Sequence, residues 1–243
     1  MQYLLRGKIT YILACFFCFP LIGFTQFREE LNQPDHDQKR FHFGINLGFN
    51  RSHYSFTFHP LFRQQDSVMW VESINSSGIN LAWLVNMNIS EHLDIRTYPL
   101  DLIFTEKAFQ YRLSYPDRPA GEDSVTLKKV QSISMTLPIQ VKFSSDRIGN
   151  FKVYMLAGVK AEYDFAANAG KKNSESILKL NPFDYGIQAG LGFHFYYPYF
   201  VLTPELKVDY GLSNLHSRDP NNKFSNVIDK IYSRMISFSL TVE

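Results

Sequence analysis

From Phe41 onward, apolar and polar residues alternate with a period of two, the pattern of a strand with one apolar and one polar face. Phe41, Phe43, Ile45, Leu47 and Phe49 alternate with His42, Gly44, Asn46 and Gly48. Seven further stretches repeat it: Ile79 to Ile89, Leu93 to Tyr98, Ile133 to Phe143, Phe151 to Phe165, Phe183 to Phe195, Phe200 to Tyr210 and Tyr232 to Val242. No segment of comparable length carries a helical repeat, and no long-period repeat or second domain is visible. The connections fall into two classes. Stretches 51–76, 114–127, 166–181 and 212–229 are long and polar, whereas Ser90-Glu91, residues 144–149 and Tyr197-Pro198 are short. Eight strands with long loops at one end and short turns at the other predict an all-β fold, an eight-stranded antiparallel transmembrane up-and-down β-barrel of the outer-membrane type. Pro99, Pro138 and Pro204 fall inside strands near the short-turn end, where a missing N–H predicts bulges or irregular pairing.

Alternation alone does not distinguish this barrel from a soluble one whose apolar face is turned inward. The polar face decides. It carries Gly44, Gly48, Ala82, Gly158, Gly186, Gly190 and Gly192, small residues that a surface in water does not need but a narrow lumen does. Its charges are Arg96, Lys142, Lys152, Lys160 and Lys207 against Asp94, Glu162, Asp164, Asp184, Glu205 and Asp209. A selective pore calls for a ring of one sign. Near-balance instead predicts a lumen closed by paired side chains, because unpaired buried charge costs several kcal/mol. The expected structural network is Asp94, Arg96, Lys142, Lys160, Glu162, Asp164, Asp184, Glu205, Lys207 and Asp209.

The start of the chain changes the reading of the composition. Arg6 and Lys8 precede an almost wholly apolar run from Ile9 to Phe24, and Gly23 and Thr25 stand where a cleavage site wants small residues. Residues 1–25 are therefore expected to be a signal peptide, 26–40 a mobile periplasmic leader, and 41–243 the barrel. A lipoprotein reading through Cys15 fits less well, since too short an apolar segment precedes it. The 243-residue chain has a net charge of +2 and two cysteines, Cys15 and Cys18. Removing residues 1–25 takes away Arg6, Lys8 and both cysteines, so the mature chain is formally neutral and thiol-free. Disulfide and thiol chemistry are excluded, and nothing marks a clustered basic face for nucleic acid. After residue 25 no apolar run is long enough to cross a bilayer as a helix, which excludes a helical membrane protein. The expected location is the outer membrane, in contact with its lipid, with both mature termini periplasmic.

Candidate chemistry is thin. Gly186-Ile187-Gln188-Ala189-Gly190-Leu191-Gly192 lacks the spacing and following helix of a dinucleotide loop, and Gly170-Lys171-Lys172 lacks the rest of a phosphate loop. His53 and His59 in a loop, and Asp35-His36-Asp37 in the leader, show no recognised metal-ligand spacing. His42 and His194 fall on the lumen face as packing residues. Ser52, His53 and Asp66 make a triad only on paper. No catalytic, cofactor or metal site is expected, and Trp70, Trp83 and the strand-end tyrosines read as interfacial girdles.

A set of fragments carries a resemblance. Arg96-Thr97-Tyr98-Pro99-Leu100, Leu137-Pro138-Ile139-Gln140-Val141-Lys142, Ala157-Gly158-Val159-Lys160, Tyr185-Gly186-Ile187-Gln188-Ala189-Gly190-Leu191-Gly192, Thr203-Pro204-Glu205-Leu206-Lys207 and Gly211-Leu212-Ser213-Asn214-Leu215 follow in order. Together, over roughly residues 40–243, they resemble the PorT (also called SprT) family of Bacteroidota outer-membrane barrels. The resemblance implies a non-enzymatic accessory of the type IX secretion system, needed for export of cell-surface proteins and, in gliding species, for motility, with other secretion components as partners. Arg96, Lys142, Glu205 and Lys207 match recurring positions. Leu240-Thr241-Val242-Glu243 departs from the terminal aromatic frequent in outer-membrane barrels, with Phe238 the nearest substitute. The rival readings are a small pore or ligand-binding barrel and a rim-active hydrolase. The stretches 51–76 and 212–229 are the expected outward docking surfaces.

Overall fold

The structure, a computed structural model, describes residues 30–60, 62, 68–116, 123–167, 178–218 and 223–243. The predicted signal segment, Asp66 and Gly170-Lys171-Lys172 lie outside the described residues. The chain divides into Met1–Glu30 and Leu31–Glu243, and the barrel is the second unit. A 3-10 turn at His36–Gln38 precedes β1 (Phe41–Phe58), β2 (Val68–Ile74), β3 (Ser76–Asn88), β4 (Leu93–Leu113), β5 (Val125–Ser144), β6 (Phe151–Asp164), β7 (Phe183–Tyr196) and β8 (Val201–Gly211). A single helical turn, α1 (Lys223–Asn226), leads into β9 (Ile228–Val242).

Both β2 and β3 pair with β4 along the same edge, Ile74 opposite Ala108 and Ile79 opposite Phe104. They are two stretches of one wall strand, interrupted at Asn75. The wall thus has eight strands, each antiparallel to its neighbours, closed by β4 against β5 and by β1 against β9. Closure leaves every ladder partnered, which is what a sheet in lipid requires.

The alternation turns its apolar side out. Phe43, Ile45, Leu47 and Phe49 are 54–68% exposed, while Asn46 and Asn50, which alternate with them, are buried. Phe49, Ile79, Phe104 and Ile133 are successive cross-strand partners at the edge of this band. One step beyond, the outward positions become polar at Arg51, Ser77, Glu106 and Gln131. The strands outrun the band. β4 has 21 residues and β5 has 20, about twice the roughly 10 that cross a bilayer, so the long-loop half of the barrel stands clear of lipid. Parts of the stretches read from sequence as loops, residues 51–58, 68–74 and 125–127, are wall strands, because polar and apolar residues there no longer sort by face.

The prolines behave in different ways. At Pro99 the register of β4 shifts against both neighbours, between Trp83 and Val85 on β3 and between Thr97 and Asp101 toward β5. Pro138 lies opposite that same bulge. Its carbonyl accepts a hydrogen bond from the Thr97 hydroxyl at 2.7 Å, while its other side pairs normally with Lys160. Pro204 pairs with Leu240, and the β7 ladder resumes in the same register on either side of it, so here the pairing has a gap but no bulge. A strand residue sends its N–H and C=O to one neighbour only, so Pro138 and Pro204 each interrupt a single ladder, whereas the bulge at Pro99 displaces both.

Candidate functional site

The inward face holds a polar network in the membrane-level lumen. Arg96 on β4 reaches Glu205 on β8 across the bore, Nη1 to carboxylate 2.7 Å, both side chains almost fully buried. The same guanidinium donates to the hydroxyls of Tyr154, at 3.2 Å, and Tyr98. Tyr154 in turn donates to Glu205, and Lys207 stands 3.3 Å from the other Glu205 oxygen. Nearer the short turns, Lys142 pairs with Asp94 at 2.7 Å and contacts His194 at 3.3 Å. On the long-loop side Lys160 pairs with Glu162 at 2.8 Å and Lys107 with Asp164 at 2.7 Å. Asp184 accepts from the hydroxyls of Ser213 and Ser233. Asp209 is buried and lies opposite Gln188 on the neighbouring strand. Of the ten charged residues expected in the lumen, Glu162 is half-buried and the other nine are buried.

Sequence reasoning left out several members. Tyr98 and Tyr154 complete the Arg96–Glu205 cluster. Their period-two positions were legible, but an aromatic residue does not announce a hydroxyl that must be satisfied. Lys107 and the buried Asp101 were missed because the Pro99 bulge moves the inward phase from even to odd numbers along β4: Asp94, Arg96 and Tyr98 point in before it, Asp101, Ile103 and Lys107 after it. Gly192 has a specific reason to be glycine. A Cβ there would overlap the phenol of Tyr154, so the bare backbone of β7 makes room for the ring that binds Arg96 and Glu205.

The long-loop end is closed by a dry cap. Tyr54, Val68, Val71, Phe109, Tyr111 and Leu113 from the wall meet Leu178, Leu180, Leu215, Phe224, Val227, Ile228 and Ile231 in one buried cluster. Phe109 packs edge-on against Tyr54 and Phe56, at 5.6 Å in each case, and Phe224 against Tyr111 at 4.9 Å. Backbone bonds stitch the incoming loops together, Asn181 N to Leu215 O at 2.8 Å and Leu215 N to Ile231 O at 2.9 Å. Thus the described parts of 178–181 and of 212–229, the latter expected as an outward docking surface, send Leu178, Leu180, Leu215 and Phe224 into this buried cluster. They turn a row of leucines and aromatics into the mouth.

The short-turn end is closed by the leader. Residues 32–37, expected as part of a mobile leader, are tied to the barrel: the Asn32 N–H donates to Asn150 Oδ1 at 2.9 Å and its side chain to the Tyr196 carbonyl at 3.0 Å, and Gln33 donates to the Tyr197 carbonyl at 2.9 Å. Arg147 donates to the Asn32 and Gln33 carbonyls and lies 3.6 Å over the Tyr196 ring. Gln33 has φ 49°, in the left-handed region that few non-glycine residues enter, and these contacts hold it there. Asp37 accepts from the Tyr196 hydroxyl at 2.8 Å and pairs with Lys152 at 3.4 Å and Arg147 at 3.5 Å. Burial alone would raise its carboxyl pKa, but that hydrogen bond and the two cations hold it below the usual range. The His36 and His42 rings lie 4.3 Å apart at a tilt of 35°, and burial together with this second imidazole brings the His36 pKa down to about 4.

The triad on paper does not assemble. Strand alternation puts Ser52 inside, 3.2 Å from the Thr105 hydroxyl, and His53 outside, 3.0 Å from Asn75. Two small enclosed cavities flank the network, with water-accessible space of about 20 Å³ beside His42 and Lys142 and about 10 Å³ beside Lys107 and Asp184. Neither has room for more than about one water. A lumen so filled predicts no steady conductance: in planar bilayers the purified barrel should give no reproducible current steps, and regular steps would show an open path.

A family model described as an outer membrane protein beta-barrel domain matches residues 24–217. Among solved structures, Neisserial surface protein A is 11% identical over 84% of this chain and 99% of its own, with a TM-score of 0.44. The outer membrane protein OprG from Pseudomonas aeruginosa is 12% identical over 84% of this chain and 94% of its own, with a TM-score of 0.41. None of the curated proteins matches. With most of its length matched by the family model and a closed wall whose outer face is apolar, the chain is an outer-membrane barrel in contact with lipid, and it belongs to the outer membrane protein beta-barrel domain family.

Proposed function

We propose that the protein is a non-enzymatic structural or assembly component of the type IX secretion machinery, set in the outer membrane with its short turns and leader in the periplasm and its long loops outside. The observation that carries the non-conducting part of this reading is the double closure, an apolar cap at one mouth and a pinned leader at the other around a paired polar interior. Such a body has no room for a transported solute and offers rigid ends to partners. The six fragments resembling PorT barrels support the secretion role, and several of their residues, Arg96, Lys142, Glu205 and Lys207, belong to the buried network. Short turns on the periplasmic side are the rule for such barrels, and an export signal over residues 1–25 suits that placement.

Deleting the gene should abolish secretion of type IX cargo, read as loss of cargo from the cell surface and its accumulation in the periplasm. Unchanged cargo secretion in the deletion strain would end the secretion reading while leaving the barrel intact. The small-pore alternative gains nothing from this interior, and its decisive measurement is the bilayer experiment above.

A further inference from the structure

The cavity at the short-turn mouth has a composition the polar network does not explain. His36 from the leader, His42 from β1 and Glu243 just beyond β9 bring ligand atoms within 4.8 Å of one another. We propose that these three side chains bind a zinc-class divalent cation, which ties the leader to the first and last strands of the barrel.

Four observations converge on it. First, two imidazole nitrogens and a carboxylate oxygen are donors that zinc takes in a three-protein-ligand site, with water as fourth ligand. Donors around zinc lie at bonds of about 2.0–2.2 Å, so closing a 4.8 Å separation asks for small rotations only, which the 3-10 turn and the Glu243 side chain allow. Second, His36 Nδ1 and Asn86 Oδ1, both lining this cavity, are buried without a hydrogen-bond partner. A metal ion and its water would supply one for each. Third, the charged side chains lining the cavity are Lys142 and Lys152 against Asp37, Glu91, Asp94 and Glu243, two cations facing four carboxylates. Lys142 and Lys152 are engaged by Asp94 and Asp37, at 2.7 and 3.4 Å. Fourth, Gly44 leaves space for the Glu243 side chain: a Cβ at that position would lie 2.9 Å from Glu243 Cγ and 2.8 Å from the Val242 carbonyl. The backbone of Glu243 is fixed by two 3.0 Å bonds to Val201. His42 Nε2 lies 3.1 Å from the Lys39 carbonyl and 3.2 Å from the Asn88 amide nitrogen, and in the tautomer that donates to Lys39 the Nδ1 lone pair is left for a metal.

The test is zinc binding to the purified full-length barrel in detergent micelles, measured at neutral pH by competition with a chromophoric chelator. The barrel should take up one zinc per chain. His36→Ala, His42→Ala and Glu243→Gln should each weaken binding by at least roughly tenfold, while His53→Ala, on the outer face, should leave it unchanged. His36 and Glu243 lie off the strands, so their variants keep the test decisive if His42→Ala fails to fold, which heat-dependent mobility on a gel would reveal. Absence of stoichiometric zinc, or equal affinity in His36→Ala, Glu243→Gln and the parent, overturns the proposal. These outcomes are independent of cargo secretion, so this site and the secretion role stand or fall separately.

Discussion

Arg96→Ala is expected to cost the folded barrel about 3–5 kcal/mol, because it leaves the Glu205 carboxylate buried with only Lys207 and Tyr154 beside it. The midpoint of urea unfolding, with heat-dependent gel mobility as the assay for the closed barrel, should fall accordingly. The loss comes from the charge left behind and not from the net worth of the pair. Arg96→Met combined with Glu205→Gln should therefore recover much of it, although Tyr98 and Tyr154 then lose a donor and an acceptor. A single Arg96→Ala variant that unfolds at the parental urea concentration would show that the network does not hold the wall.

Phe109→Ala should cost a similar amount at the other end, about 3–5 kcal/mol, since it empties a fully buried ring site between Tyr54 and Phe56. Here the effect should be local. The cap is built on wall that projects past the apolar band, so its opening need not unzip the lipid-level strands. Amide exchange at residues 178–181 and 213–217 should accelerate by more than roughly a hundredfold, while the amides of β7 keep their protection. Equal acceleration throughout the barrel would mean that cap and bore form one cooperative unit.

These two sites differ in how far sequence reveals them. The Arg96–Glu205 pair was visible because both residues sit at polar-face positions of regular strands, and two charges facing a narrow bore must find partners. Which charge meets which was not visible, because the partner is set by strand tilt and stagger around the ring. The cap was hidden for a different reason. Leu178, Leu180, Leu215 and Phe224 lie in stretches rich in Asn, Ser and Lys with no periodicity, and their burial follows only from the wall extending far enough to receive them. The upper half of β4 was lost at Pro99, where the slip of one residue makes a continuous strand read as the end of one. The leader was misjudged on composition: Asp35-His36-Asp37 is as polar as any tail, yet its groups match Lys152, Arg147 and Tyr196 in a mouth that no local pattern describes.

The seam between β1 and β9 carries a kinetic consequence. Asn46 donates to Thr241 at 2.7 Å across 195 residues of chain, and the ladder beside it runs from Ile45 opposite Val242 to Phe58 opposite Ile228. This join forms from the two most distant parts of the barrel chain, so its loop-closure entropy is the largest in the molecule and is repaid last. Until it forms, two bare strand edges face solvent or lipid, the most aggregation-prone condition a sheet can be in. A factor that kept those edges apart from other chains would therefore act before β1 meets β9 and would have no edge left to hold afterwards.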